Sequence, residues 1–255
     1  MLSIPDGLPG KWLLKSELTR WRFPGVSLVR PSIIRVLQHD SEAHTQGLVW
    51  HEGRLIEATG LVGQSSLRVL DPENGAILNS RSVSEHWLEG IAAIDETIVA
   101  LTYTSELALR FSLPDLMLVD QTPYKGEGWG LASDGQSLFM TNGSARIANV
   151  NRAFQPLDMT ELSHAGRALT GLNDLEVRGE WFYVQLPFDS ILLEVSKKTG
   201  RLNRIIDCGE VVRRSGRRSF QDAFNGIAYR RTTGTFFVTG KHWPHLFEIA
   251  IPAAS

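Results

Sequence analysis

The sequence predicts an all-β protein, a five-bladed β-propeller with four antiparallel strands in each blade. Three observations predict it. One phrase is written five times with variations: QGLVWHEGRLIEATG at 46–60, EGIAAIDETIVALTY at 89–103, WGLASDGQSLFMTNG at 129–143, NDLEVRGEWFYVQLP at 173–187 and NGIAYRRTTGTFFVTG at 225–240. The copies begin 43, 40, 44 and 52 residues apart, and a period of about 40–50 residues made of short strands marks a propeller or a related β array. No long stretch carries a convincing 3.6-residue apolar period, so helices are expected to be few and short.

Taken in order, residues 1–32, with Pro5, Pro9, Pro24 and Pro31, read as an irregular lead-in, and 33–255 as one propeller domain. Residues 33–40, IIRVLQHD, read as a strand ahead of the first full repeat. A propeller must close its ring, so this strand is expected to pair beside 246–251 in the last blade. Further strands are expected at 54–59, 66–71, 97–103, 107–112, 137–142, 181–186, 191–195, 235–240 and 246–251, all β-branched or aromatic runs. Turn chemistry separates neighbours at DPENG (71–75), SDG (133–135), KKTG (197–200) and TTG (232–234). The longer connection 209–224 reads as a solvated loop carrying Arg213, Arg214, Arg217 and Arg218.

Composition narrows the classes of function. A hydrophobic content of 42% and a charged content of 21% are ordinary for a globular chain, and a net charge of −2 gives no support for a nucleic-acid surface. The single cysteine, Cys208, excludes an intramolecular disulfide. No run approaches the ~18 apolar residues that span a bilayer. The first forty residues lack the compact apolar core of a secretory signal, so a cytoplasmic location is expected unless a signal was removed before this numbering begins.

In a propeller the inner strands line a central channel, so the opening residues of the phrases, Gln46, Glu89, Trp129, Asn173 and Asn225, should meet at one rim. Lys241 and Trp243 lie at the far end of the fifth phrase. An acid, amides, an indole and an amine suit a pocket for a small polar ligand with an apolar part, where a purely structural channel would use aliphatic fillers. No metal and no cofactor are expected. The seven histidines include no H-E-x-x-H pair, His242 and His245 flank Pro244, and no G-x-S-x-G elbow, P-loop or dinucleotide fingerprint is present.

Five segments carry a resemblance: 39–75, LEGIAAI (88–94), YKGEGWGLASDGQSLFMTNGS (124–144), LNDLEV (172–177) and FNGIAYRRTTGTFFVTGKHWPHLFEI (224–249). Together they resemble the plant and bacterial type of glutaminyl-peptide cyclotransferase, or glutaminyl cyclase, from about residue 36 to 251. The resemblance implies a five-bladed propeller that converts the N-terminal glutamine of peptides to pyroglutamate, releasing ammonia without a metal. It implies Glu89 as general acid and base, with Lys241 and Asn173 beside it in catalysis, and Gln46, His44, Tyr103, Trp129, Glu127 and Pro187 in contact with substrate. The implied partners are peptides or proteins with N-terminal glutamine, with no nucleic acid, no membrane and a monomeric state. Lys241 near Glu89 would lower the carboxyl pKa and burial would raise it, and the sequence leaves that balance open.

The chain departs from the family pattern at four places. Tyr103 and Pro187 stand where the family has indoles, His44 replaces an aromatic residue, and Asp174 replaces a glutamate. The pocket is then wider, altered in specificity or inactive, with Trp87, Trp243 and Phe188 at hand to replace the indoles. Two other classes stay open: a catalytically degenerate propeller that binds peptides or acts as a scaffold, and a metal-dependent lactonase, whose rim acids here would be only Glu89, Glu127 and Asp174.

Overall fold

The computed structural model describes residues 22–253. β1 (Ser27–Val29) and β2 (Ser32–Gln38) precede the first phrase. Blade one is β3 (Thr45–His51), β4 (Arg54–Thr59), β5 (Ser66–Leu70) and β6 (Ile77–Ser82), and blade two is β7 (Leu88–Ile94), β8 (Thr97–Thr102), β9 (Leu107–Ser112) and β10 (Leu118–Pro123). Blade three is β11 (Leu131–Ser133), β12 (Leu138–Met140), β13 (Arg146–Val150) and β14 (Pro156–Glu161), followed by a small hairpin of β15 (Ser163–His164) and β16 (Arg167–Ala168). Blade four is β17 (Leu175–Arg178), β18 (Trp181–Leu186), β19 (Ile191–Ser196) and β20 (Leu202–Asp207). A short helix, α1 (Gly209–Arg214), leads into β21 (Phe224–Arg230), β22 (Thr235–Gly240) and β23 (His245–Ala250).

Blade five takes its fourth strand from the start of the chain. β2 pairs antiparallel with β23, from Ser32 opposite Ala250 to Gln38 opposite His245, which is the expected closure. At the end of this strand His39 Nδ1 donates to the Trp243 carbonyl at 2.6 Å, and Nε2 lies 2.8 Å from Glu57 Oε1 in blade one. Burial alone would lower the His39 pKa, but the Glu57 carboxylate outweighs it and the net shift is upward. A buried hydrogen-bonded His–Glu pair thus ties blades five and one at the seam.

The ring follows from the second letter of the phrases. Each inner strand packs beside the next, β3 by β7, β7 by β11, β11 by β17, β17 by β21 and β21 by β3. A Cβ on Gly47, Gly90 or Gly130 would stand 2.9 Å from Ile91 N, 2.4 Å from Leu131 N or 2.3 Å from Asn173 O. Inner strands therefore run too close for a side chain at this position. In the fourth phrase Asp174 holds the place instead, and its Oδ2 accepts the Ile227 N–H at 3.0 Å.

Five apolar cores fill the spaces between blades. On β8, Ile98 and Ala100 face blade one while Val99 and Leu101 face blade three. Both faces of a middle strand are buried, which is why these runs read as continuous apolar stretches rather than an alternation. The outermost strands are different. β6, β10 and β14 are exposed almost throughout, so they carry no apolar period and sequence reading missed them.

Two stretches differ from expectation. Within the segment expected to be irregular, β1 lies parallel to β20, Ser27 opposite Arg204 and Val29 opposite Ile206, and Phe23 is buried between blades three and four. Three residues are too few to show a period. The rest of the expected lead-in, 1–21, lies outside the described residues. The 209–224 connection begins with α1, whose Val211 and Val212 are buried while Arg213 and Arg214 face solvent, Arg213 paired with Glu210. Among the described residues no helix is long and apolar enough to cross a membrane.

Candidate active site

A cavity of about 370 Å³ opens at the rim where the phrases begin. Seven of the nine residues expected at the site line it: Gln46, Glu89, Tyr103, Trp129, Asn173, Pro187 and Lys241. Gln46 and Glu89 are second residues of β3 and β7, Trp129 and Asn173 stand just before β11 and β17, and Lys241 follows β22. Residues far apart in sequence meet because each occupies the same end of an inner strand or its returning neighbour.

The centre of the cavity is Glu89, which is 6% exposed. Burial lifts its carboxyl to about 8, with the charge of Asp174 adding to the effect and Lys241 opposing it. Burial thus wins the contest that sequence reading left open. The same burial lowers the pKa of Lys241, against the pull of Glu89.

Around this carboxyl the polar groups form an ordered chain. Gln46 Nε2 donates to Glu89 Oε1 at 2.5 Å. The Gln46 amide is itself set by Asn225, whose Nδ2 lies 3.0 Å from Gln46 Oε1 and within reach of the Thr45 and Gln46 carbonyls. The fifth opening residue therefore acts one step behind the cavity. Among the described residues, Asn173 Oδ1 at the cavity is a buried acceptor without a partner, whereas the buried Trp87 indole N–H faces Glu89 and opposes the rise of its pKa. Unsatisfied buried groups are costly in a folded protein, and in a pocket they point to a ligand that completes them.

The walls are aromatic. Trp87 lies 5.6 Å from the Tyr103 ring, centroid to centroid, and Phe188 lines the mouth beside Pro187. Sequence reading gave Trp87 and Phe188 only as substitutes for missing indoles, since neither opens or closes a phrase. The third such residue, Trp243, lies elsewhere: it is fully buried, and its indole N–H donates to the Asp222 carbonyl at 2.9 Å. The closing glycines make room for the indoles. A Cβ on Gly60 would come 2.5 Å from Trp87 Nε1, and one on Gly143 would come 2.6 Å from Trp129 Cη2.

His44 and Glu127, both expected to touch substrate, stand one step outside the cavity. His44 packs edge-on against Trp87, its Nδ1 3.0 Å from His242 Nε2. Burial and the neighbouring charges of Lys241 and His242 push its pKa down to about 3, so it stays neutral. Glu127 is exposed and accepts the Trp129 indole N–H at 3.0 Å, fixing that ring. No group of three or more His, Cys, Asp and Glu among the described residues is arranged to hold a metal ion.

A second cavity, of about 480 Å³, lies at the other end of the inner strands, lined by His51, Asp95, Glu176 and Arg231 among others. Its carboxyls are already engaged. Glu176 accepts the N–H groups of Val177 and Tyr229, and Asp95 holds Arg152. Burial also lifts the Glu176 carboxyl, to about 7, against these backbone donors.

Fold and site together define a class: a five-bladed propeller whose channel rim holds a buried carboxyl among amides, an amine and indoles. Comparison with known proteins agrees. The model of the glutamine cyclotransferase family matches residues 13–251, and the chain belongs to that family. A glutaminyl-peptide cyclotransferase of Arabidopsis thaliana is 29% identical over 232 residues, covering 88% of this chain and 72% of that protein. The crystal structure of Myxococcus xanthus glutaminyl cyclase superposes with a TM-score of 0.84 at 30% identity, covering 90% of this chain and all of that one.

Proposed function

We propose that this protein is a glutaminyl-peptide cyclotransferase that needs no metal, with Glu89 carrying the proton. The observation that supports it most is the Glu89 carboxyl itself, buried and raised to about 8 inside a cavity of substrate size. A peptide α-amino group has a pKa of about 8. Proton transfer between the two is close to thermoneutral, the condition under which one group serves efficiently as both acid and base.

The reaction balances with a single shuttled proton. In the complex that holds one proton between the two groups, Glu89 takes it from the α-ammonium, and the freed nitrogen lone pair forms a bond to the substrate's own Cδ carbonyl carbon. It gives that proton to the side-chain nitrogen as the Cδ–N bond breaks and ammonia leaves, and the new ring nitrogen returns its surplus proton to Glu89. Because both partners belong to one residue, the protein supplies chiefly orientation. Asn173 Oδ1 is placed to accept from the amine. Lys241 is the donor for the carboxamide oxygen, where negative charge develops. Trp87, Trp129 and Tyr103 cover the methylenes and exclude water. Tyr103 thus takes part of the role an indole plays in relatives, and Pro187 with Phe188 forms the opposite wall.

The test is ammonia release from a peptide with N-terminal glutamine, with pyroglutamate confirmed by mass. Turnover supports this reading. A folded protein that binds such peptides and releases no ammonia would instead be a degenerate, binding propeller.

A further inference from the structure

We propose that the pocket mouth carries a built subsite for the second residue of the substrate peptide, formed by Phe188 and Phe220, and that it selects aromatic and large apolar side chains. The proposal rests on the cyclase reading. With amine and carboxamide both turned toward Glu89, the rest of the peptide must leave through the mouth, and its second side chain then meets whatever forms the lip.

The lip is apolar, unlike the interior. Phe188 lines the cavity yet is 51% exposed, and Phe220 is 52% exposed. Their rings stack, 5.4 Å between centroids at an interplanar angle of 27°. They come from separate loops: Phe188 from the turn between β18 and β19, Phe220 from the connection between α1 and β21. A pair of large apolar groups presented to solvent beside a cavity is a recurrent sign of a recognition surface.

Both rings are held in place. The turn of Phe188 is tied by the Asp189 N–H to the Leu186 carbonyl at 3.1 Å and by the Asp189–Arg22 ion pair. The turn of Phe220 is built on Asp222, whose Oδ2 accepts the N–H groups of Arg218 (2.9 Å) and Ser219 (2.8 Å). The Asp222 carbonyl is anchored by buried Trp243, and the next residue, Ala223, lines the cavity. The Arg217 guanidinium lies 5.8 Å from the Phe220 centroid and steadies that ring. Preorganised rings lose little entropy when they receive a side chain, so they discriminate well.

The experiment compares glutaminyl peptides differing only at the second residue. The ratio of kcat/KM for Gln-Phe-amide over Gln-Gly-amide is expected to be roughly five- to twentyfold in the wild type. It should fall toward one in Phe220→Ala and in Phe188→Ala, chiefly through KM for the Phe peptide, and persist in Phe220→Tyr. A flat wild-type series overturns the proposal. So does an unchanged ratio in both alanine variants with a lowered Tm, which would make the stack a clasp between turns. If no peptide releases ammonia, the cyclase reading fails separately, and calorimetry with the same two amides still decides. Tighter binding of the Phe peptide, lost in Phe220→Ala, supports the subsite, whereas equal binding or none overturns it.

Discussion

Gln46 Nε2 stands 2.5 Å from Glu89 Oε1, joining the opening residues of the first and second phrases in one hydrogen bond. The bond holds one Glu89 oxygen toward Gln46. Its direction is set from a third blade position, because Asn225 donates to Gln46 Oε1 and thereby turns the amide nitrogen toward Glu89.

Asn225→Ala is therefore expected to free the Gln46 amide to rotate. Losing one oriented, buried hydrogen bond costs about 1–3 kcal/mol, so kcat should fall roughly five- to hundredfold with a smaller change in KM. Steady-state kinetics beside a melting curve checks this. A lowered Tm with unchanged kcat would show that Asn225 only knits the blades.

The pH profile follows from two groups of nearly equal pKa. The productive complex holds one proton between the substrate amine, with a pKa of about 8, and Glu89, also at about 8. Below that both are protonated, and above it neither is. kcat/KM should trace a bell centred near pH 8, falling by about tenfold per pH unit on each outer limb. A plateau extending down to pH 5 would contradict the raised Glu89.

Stability should carry the same signature. Glu89 titrates at about 8 in the folded chain against 4.5 as its ordinary value, so its neutral form stabilises the fold fully below pH 4.5. That contribution fades as pH rises and is gone above 8. Glu89→Gln removes the ionisation, so its Tm should exceed that of the wild type at pH 9 and approach it at pH 5. Thermal melts at the two pH values measure the difference.

Gly143→Ala places a Cβ 2.6 Å from Trp129 Cη2, at a residue whose φ of +77° already disfavours a side chain. The indole must move, and it forms one wall of the cavity. A rise in KM of about tenfold is expected, with a loss of stability of about 1 kcal/mol or more from the backbone. Trp129 fluorescence and kinetics report the two effects together.

Much of this was legible in the sequence because the phrases record the ring's geometry. Gly47, Gly90 and Gly130 mark inner strands in close approach, and the residue before each glycine is the one that reaches the rim. Middle strands such as β8 and β18 were visible because both faces pack against neighbouring blades. The edge strands β6, β10 and β14 were not, since water on both faces erases the pattern. The same limit applies at the site. Glu89, Gln46, Trp129, Asn173 and Lys241 recur at fixed places in the phrases, whereas Trp87 precedes its phrase and Phe220 sits in a connection with no repeat partner. Nothing in sequence spacing could show that burial would outweigh Lys241 at Glu89, because that depends on how completely the indoles close over the carboxyl.

The account turns on Glu89, and one measurement addresses it directly: ammonia release from Gln-Phe-amide by wild type and Glu89→Gln, each with and without a chelator, with matched melting curves. The account predicts chelator-resistant turnover in the wild type and a loss of at least a hundredfold in the folded variant, as removal of a general acid–base group costs about 10²–10⁴ in rate. Turnover that persists in Glu89→Gln, or that chelation abolishes and a divalent ion restores, would contradict it.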